Sequence, residues 1–273
     1  MIVRDVMSDV ARRLADAGAD SPRRSARILL AKSLCVSEPD TVTESATLDR
    51  GTRARLEELV ARRVAQEPLA YIVGHREFWS LDFEVGRGVL VPRPESETLI
   101  EVLLEEFADH GTPLEILDCG TGSGCLVIAA LSMFPNARGT GIDASRAALT
   151  WAERNVARHN LGDRCALRCQ DWASEIVVRA DAILANPPYV KRDVLAALPP
   201  EVARYEPAVA LCGGEDGLDA YRALAPRIAE VLKPDGVAIL EIGEGQGNDV
   251  RKILADAGLE TGRIVADLAG IPG

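Results

Sequence analysis

The side chains best suited to chemistry stand together in one tetrapeptide, Asn186-Pro187-Pro188-Tyr189, directly after the apolar run 182–185. Two consecutive prolines stiffen the turn and withdraw two backbone donors, which leaves acceptors facing whatever binds there. Asn186 can accept one N–H through its side-chain oxygen, and the Pro187 carbonyl can accept another. Such a pair suits a planar, conjugated NH2, whether an amide or an aminopurine, whose lone pair is otherwise delocalised. Holding both N–H bonds reduces the planarity and exposes the lone pair to an electrophilic carbon; positioning of this sort lowers a barrier substantially. Pro188 and Tyr189 complete the substrate-binding set, with Tyr189 expected to lie against the planar group and exclude water. The alkylated nitrogen loses a proton readily, so no strong base is needed, and no histidine is near in sequence. Taken alone, the tetrapeptide also reads as a proline-rich turn with an Asn cap.

A second constellation lies upstream. The apolar run 114–119 enters Gly120-Thr121-Gly122-Ser123-Gly124, and a helical pattern follows. Glycines there let the chain turn sharply and let a ligand approach the main chain, while a helix start favours a polar or anionic group. The dinucleotide fingerprint puts its third glycine or alanine three residues after the second; that place holds Cys125, and Gly124 comes one residue early. This tight spacing resembles the loop of class I S-adenosylmethionine methyltransferases. Asp143, at the end of the next strand, is suited to ribose hydroxyls, or to capping a helix. Asp171 and Trp172 end the third strand, where an acid can take an adenine amino group and an aromatic can cover the ring; Trp172 also reads as core.

The elements that must position these residues are legible from periodicity. Val6, Val10, Leu14 and Ala17 recur at helical spacing up to Gly18. Ser21-Pro22 opens a second helix with Ile28, Leu29 and Leu34 inward, and a third over 52–66 faces Leu56, Leu59, Val60 and Val64 inward. Helices apolar on one stripe need partners, so a small bundle is expected over 1–70. Over 71–92 the period shortens: 71–73, 77–79 and 82–85 read as short strands of a hairpin joining the bundle to the rest. From 93 to 273 strands at 114–119, 137–142, 165–169, 182–185 and 237–242 alternate with helices at 125–134, 145–159 and 218–232. That alternation predicts a Rossmann-like α/β domain, its sheet mostly parallel.

Composition narrows the class. The 273 residues are 47% hydrophobic, and no apolar stretch nears the roughly 20 residues needed to span a bilayer. The first 20 residues lack a signal-peptide pattern, so a cytoplasmic protein is expected. A net charge of -11 argues against non-specific nucleic-acid binding. The 6 cysteines form no CxxC pair and His75, His110 and His159 lie far apart, so no metal site is expected and the thiols read as reduced. Cys165 and Cys169 are expected to share a face as small buried residues.

The order Gly74-His75-Arg76-Glu77-Phe78-Trp79-Ser80, Pro92-Arg93-Pro94-Glu95-Ser96-Glu97, Asp118-Cys119-Gly120-Thr121-Gly122-Ser123-Gly124 and then 186–189 resembles the HemK/PrmC family. Tyr205-Glu206-Pro207 and Asp267-Leu268-Ala269-Gly270 resemble further family segments. The likeness covers nearly the whole chain. It implies an S-adenosylmethionine-dependent enzyme that methylates the side-chain nitrogen of the glutamine in the Gly-Gly-Gln motif of class 1 peptide chain release factors. It implies cofactor contacts at Gly120, Thr121, Gly122, Ser123, Gly124, Asp143, Asp171, Trp172 and Asn186, with the glutamine held at 186–189. It further implies that the helical domain helps dock the release factor and that the enzyme is a monomer with no direct nucleic-acid partner. Arg76, Phe78 and the 92–97 segment are expected at the entrance, although Arg93 and Glu97 also read as an ion pair across a helix start. Cys119 stands where the family usually has Leu, and Ser96 where it usually has Thr. Relatives continue past the final proline with an arginine and an apolar strand, so an exposed sheet edge is expected here. The tetrapeptide alone fits an adenine amino-group methyltransferase too, and the missing strand a non-catalytic cofactor-binding protein.

Overall fold

In the computed structural model, residues 2–36 and 46–266 are described, and they fall into two compact units. The first comprises residues up to 75 with Pro199–Tyr205; the second comprises Arg76–Leu198 and residues from 206 on. The family-like segment 267–270 lies outside the described residues.

The first unit is a helical bundle of α1 (Val3–Asp16), α2 (Pro22–Leu34), α3 (Arg50–Val64), α4 (Leu69–Val73) and α8 (Pro200–Tyr205). Its core joins Val6, Val10 and Leu14 to Leu29, Leu30, Leu56, Val60 and Ile72. Pro22 opens α2, where a missing N–H costs nothing. The Asp49 carboxylate caps α3 by accepting the Thr52 N–H at 2.9 Å. Two expectations fail here. Residues 71–73 are helical, because Pro68 starts a turn that drives Ile72 into the bundle core, and Gly74 ends it at φ 88°. Val64 is exposed, and Arg63 takes the inward position. Arg63 is drawn in by partners: Nη1 donates to Glu201 Oε2 at 2.5 Å and to the Glu67 carbonyl at 2.9 Å.

The second unit opens with the hairpin β1 (His75–Phe78) and β2 (Leu81–Glu84), of which His75 belongs to the first unit. There follow α5 (Glu97–Glu106), β3 (Glu115–Cys119), α6 (Cys125–Met133), β4 (Arg138–Asp143), α7 (Arg146–Arg158), β5 (Cys165–Cys169), β6 (Ala180–Ala185), α9 (Asp219–Val231), β7 (Leu232–Leu240) and α10 (Gly247–Asp256). The sheet order is β5-β4-β3-β6-β7, and each strand runs parallel to its neighbours, as the alternation predicts. Strand periodicity splits the core: Ile116, Leu184 and Ile239 face α5 and α6, while Leu117, Cys119 and Ile183 face α9.

Phe78 is fully buried and meets Phe83 edge-on at 6.2 Å, so it is core and not an entrance residue. Cys165 is buried but Cys169 is exposed, because β5 is an outermost strand and its end lacks cover. All 6 cysteines are free thiols. β7 is the other outermost strand among the described residues. Among those residues no helix is long and apolar enough to cross a membrane.

Candidate active site

Register places the chemistry. Cys119 lies opposite Ile142 and Ala185, Asp143 opposite Cys169, and Ala185 opposite Leu240. The loops that start at Gly120, Ala144, Gln170, Asn186 and Glu241 therefore leave the sheet side by side at its carboxyl edge, where ligands of such sheets bind.

The glycine loop is fastened from within. Asp118 shares the α6 face of β3 with Ile116, and its Oδ2 accepts the Thr121 hydroxyl at 2.6 Å and the Val127 N–H at 3.2 Å. Its Oδ1 is buried with no hydrogen-bond partner among the described residues. Burial, opposed by those two hydrogen bonds, pushes the Asp118 carboxyl up to about 7. Asp143 Oδ2 accepts the Gly122 N–H at 2.9 Å and its Oδ1 the Ser145 N–H at 2.7 Å. Burial raises the Asp143 carboxyl above its ordinary range, against both of those bonds. Asn155 on α7 is fully buried and donates to the Ser123 carbonyl at 2.9 Å and the Glu84 carbonyl at 3.0 Å, tying the loop to β2. Gly120 and Gly122 have φ of 77° and 56°, a region that favours glycine. A Cβ on Gly120 would lie 2.7 Å from Trp172 Cζ3, so the ring packs directly over the bare backbone.

Beside this loop is a cavity of about 230 Å³. Of the residues singled out for a cofactor, Gly120, Thr121, Gly122, Ser123, Asp143, Asp171, Trp172 and Asn186 line it. Gly124 does not; it caps α6 at φ 82°, and a Cβ there would meet Ile128. Pro188, Pro92, Arg93 and Ser96 also line the cavity, whereas Pro187, Tyr189 and Arg76 are not among its lining residues. Sequence reasoning missed the apolar wall of Val89, Leu90 and Leu126, and Val209 and Ala210 beside Pro207. Val89 and Leu90 lie in a loop, where apolar residues carry no periodic signal, and Leu126 belongs to a run of α6 that is apolar on every side.

Asn186 belongs to a half-buried network. Its Nδ2 donates to Ser96 Oγ at 2.9 Å, the Ser96 hydroxyl donates to Glu241 Oε2 at 2.5 Å, and the Tyr189 hydroxyl donates to Glu241 Oε1 at 3.2 Å. The Tyr221 hydroxyl fixes the Glu241 carbonyl at 2.9 Å. Burial raises Glu241 above its ordinary range against the bonds from Ser96 and Tyr189; burial, then the Glu241 charge, raises Tyr189 above its own. Asn186 Oδ1 accepts no hydrogen bond from the described residues, so its acceptor is available. A neighbouring ion pair closes one side. Arg93 Nη2 donates to Glu206 Oε1 at 2.6 Å, and Glu206 Oε2 accepts the Val91 N–H at 3.1 Å. Arg93 and Glu97 do not pair across the helix start; Glu97 Oε1 instead accepts the Trp79 N–H.

A parallel α/β sheet with a glycine loop, two carboxylates and an Asn-Pro-Pro-Tyr turn at its carboxyl edge defines a methyltransferase, and residues 95–198 match the methyltransferase small domain. Residues 5–74 match the PrmC N-terminal domain. The chain is 40% identical over 259 residues to the release factor glutamine methyltransferase of Caulobacter vibrioides, covering 94% of this chain and 89% of that one. It is 42% identical to the Rhodospirillum rubrum enzyme of the same name, over 94% and 79% of the two chains. With the Cereibacter sphaeroides enzyme it shares 41% over 99% and 96%. The chain belongs to the release factor glutamine methyltransferase family, as the motif order implies.

Proposed function

We propose that this protein transfers a methyl group from S-adenosylmethionine to the side-chain amide nitrogen of the Gly-Gly-Gln glutamine in class 1 peptide chain release factors. The observation that carries the reading is the Asn186 amide, which lines the cavity with its nitrogen engaged and its oxygen available. Membership of the family at about 40% identity over nearly the whole chain supports it.

The cavity lining fits S-adenosylmethionine. Bare backbone at Gly122 admits close approach, Trp172 (packed over Gly120) and Leu126 suit an aromatic ring, and Asp143 and Asp171 suit hydroxyl and amino groups. Those carboxylates also favour a ligand that carries a positive sulfur. When bound, S-adenosylmethionine supplies a methyl group on that sulfur, so the protein's task is to present a nitrogen with an accessible lone pair. Asn186 Oδ1 accepts one glutamine N–H and the Pro187 carbonyl the other. Tyr189, anchored at Glu241, braces the turn that carries both acceptors. The first, helical unit is assigned to docking the release factor. The same reading makes the enzyme a cytoplasmic monomer without a direct nucleic-acid partner.

Incubation with S-adenosylmethionine and a recombinant release factor, followed by peptide mass spectrometry, tests the assignment. One added methyl on the Gly-Gly-Gln glutamine is expected, absent with Asn186→Ala enzyme or a Gln→Ala substrate. No methylation by folded, cofactor-binding protein would sink it and turn attention to nucleic-acid amino groups.

A further inference from the structure

We infer that Glu241 is a positioning residue: acting through the Ser96 hydroxyl, it fixes which end of the Asn186 amide faces the cavity. The inference rests on the role given to Asn186 above. An ionised carboxylate only accepts hydrogen bonds. Glu241 takes the Ser96 proton on Oε2 and the Tyr189 proton on Oε1. With its proton committed, Ser96 Oγ has only lone pairs left, and Asn186 Nδ2 donates to one of them at 2.9 Å. Every bond in the chain then runs one way, from Asn186 to Ser96 to Glu241. A turned-over amide would bring Oδ1 against an oxygen that has no proton to offer. The nitrogen is thereby held at Ser96, and Oδ1 is left to accept the substrate N–H.

Three separate elements deliver this chain. Ser96 ends the 3-10 turn Pro94–Ser96, Asn186 follows β6, and Glu241 follows β7. Parallel register sets the last two side by side, with the Glu241 N–H donating to the Ala185 carbonyl at 2.9 Å. Ser96 is 3% exposed, so water has little access to replace either bond. Threonine would supply the same hydroxyl; alanine would not. Glutamine at 241 would put a donor in place of one acceptor and force one hydroxyl to reverse.

The test compares wild type with Ser96→Ala, Ser96→Thr and Glu241→Gln in steady-state methylation of the release factor, with cofactor affinity measured by calorimetry. Ser96→Ala and Glu241→Gln should lower kcat by ~10-fold or more, with S-adenosylmethionine affinity within ~2-fold of wild type. Ser96→Thr should restore kcat. A second arm needs no substrate: in protein labelled with [15N]asparagine, the Asn186 side-chain signals are identified by their loss in Asn186→Ala. They should move in Ser96→Ala and Glu241→Gln and stay in Ser96→Thr. Wild type inactive on the release factor overturns the functional reading alone, because the signals still report the amide. Unmoved signals, wild-type kcat in Ser96→Ala, or a cofactor-binding Ser96→Thr as slow as Ser96→Ala overturn the inference. If Ser96→Ala fails to fold, Glu241→Gln and Ser96→Thr decide it by the same criteria.

Discussion

Replacing Asp118 by Asn should change how stability responds to pH more than it changes stability at any one pH. Asp118 is wholly buried, and burial lifts its carboxyl from 3.8 to about 7 in the folded protein. Between those values the folded chain holds a proton that the unfolded chain has lost, so stability falls as pH rises. The contribution is complete below 3.8 and gone above about 7. A shift of roughly 3 units at 1.36 kcal/mol each is on the order of 4 kcal/mol, of which about 3 falls between pH 5 and pH 8. Asn keeps an oxygen for the Thr121 hydroxyl and the Val127 N–H but does not titrate. Any fixed cost of its NH2, placed where Oδ1 has no partner, offsets the curve without tilting it. Urea unfolding of both proteins at half-unit steps from pH 5 to pH 8 measures the tilt. The wild type should lose about 3 kcal/mol relative to Asp118→Asn across that range. Parallel curves would show that folded Asp118 is already ionised at pH 5, and the reasoning from burial would fall.

Gly120→Ala combines a φ of 77° with a Cβ 2.7 Å from Trp172. The backbone costs roughly 1–2 kcal/mol, and the ring must leave its place at the cavity wall. S-adenosylmethionine binding by calorimetry should weaken by ~10-fold or more; unchanged affinity would remove Trp172 from the binding wall. Arg93→Ala strands the Glu206 carboxylate, whose side chain is only 2% exposed. The loss should be on the order of 3 kcal/mol in urea unfolding, and adding Glu206→Gln should recover part of it. No recovery in the double variant would mean that the arginine acts by packing alone.

The α/β frame was legible because its signals are local: apolar runs of strand length, glycines at turns, helices between them. Most of the cavity's floor was legible for the same reason, since consecutive loops of a parallel sheet share one edge. The bundle misled where tertiary partners outweighed local preference. Tyr71-Ile72-Val73 favours strand by residue type, yet Ile72 fills the bundle core as part of α4. Val64 looked inward by spacing, but Arg63 has carboxylate and carbonyl partners inside. Glu241 was silent because a single acid after a strand has no pattern, and its partner Ser96 is 145 residues away in sequence. Cys169 looked like Cys165 because periodicity says which face a side chain takes, not whether anything covers it.

The helical unit obtains its last helix late. Glu201, which neutralises the buried Arg63, follows it by 138 residues. Tyr205, on the same helix, donates to the Ala65 carbonyl at 2.8 Å. On a translating ribosome the amino-terminal helices emerge first, but the Arg63 guanidinium then waits without its carboxylate while β3 through β6 are synthesised. The amino-terminal unit is therefore the first to be made and not the first to be finished. A fragment cut at residue 75 would inherit that vacancy permanently, so an excised bundle needs α8 grafted back before its folding is measured.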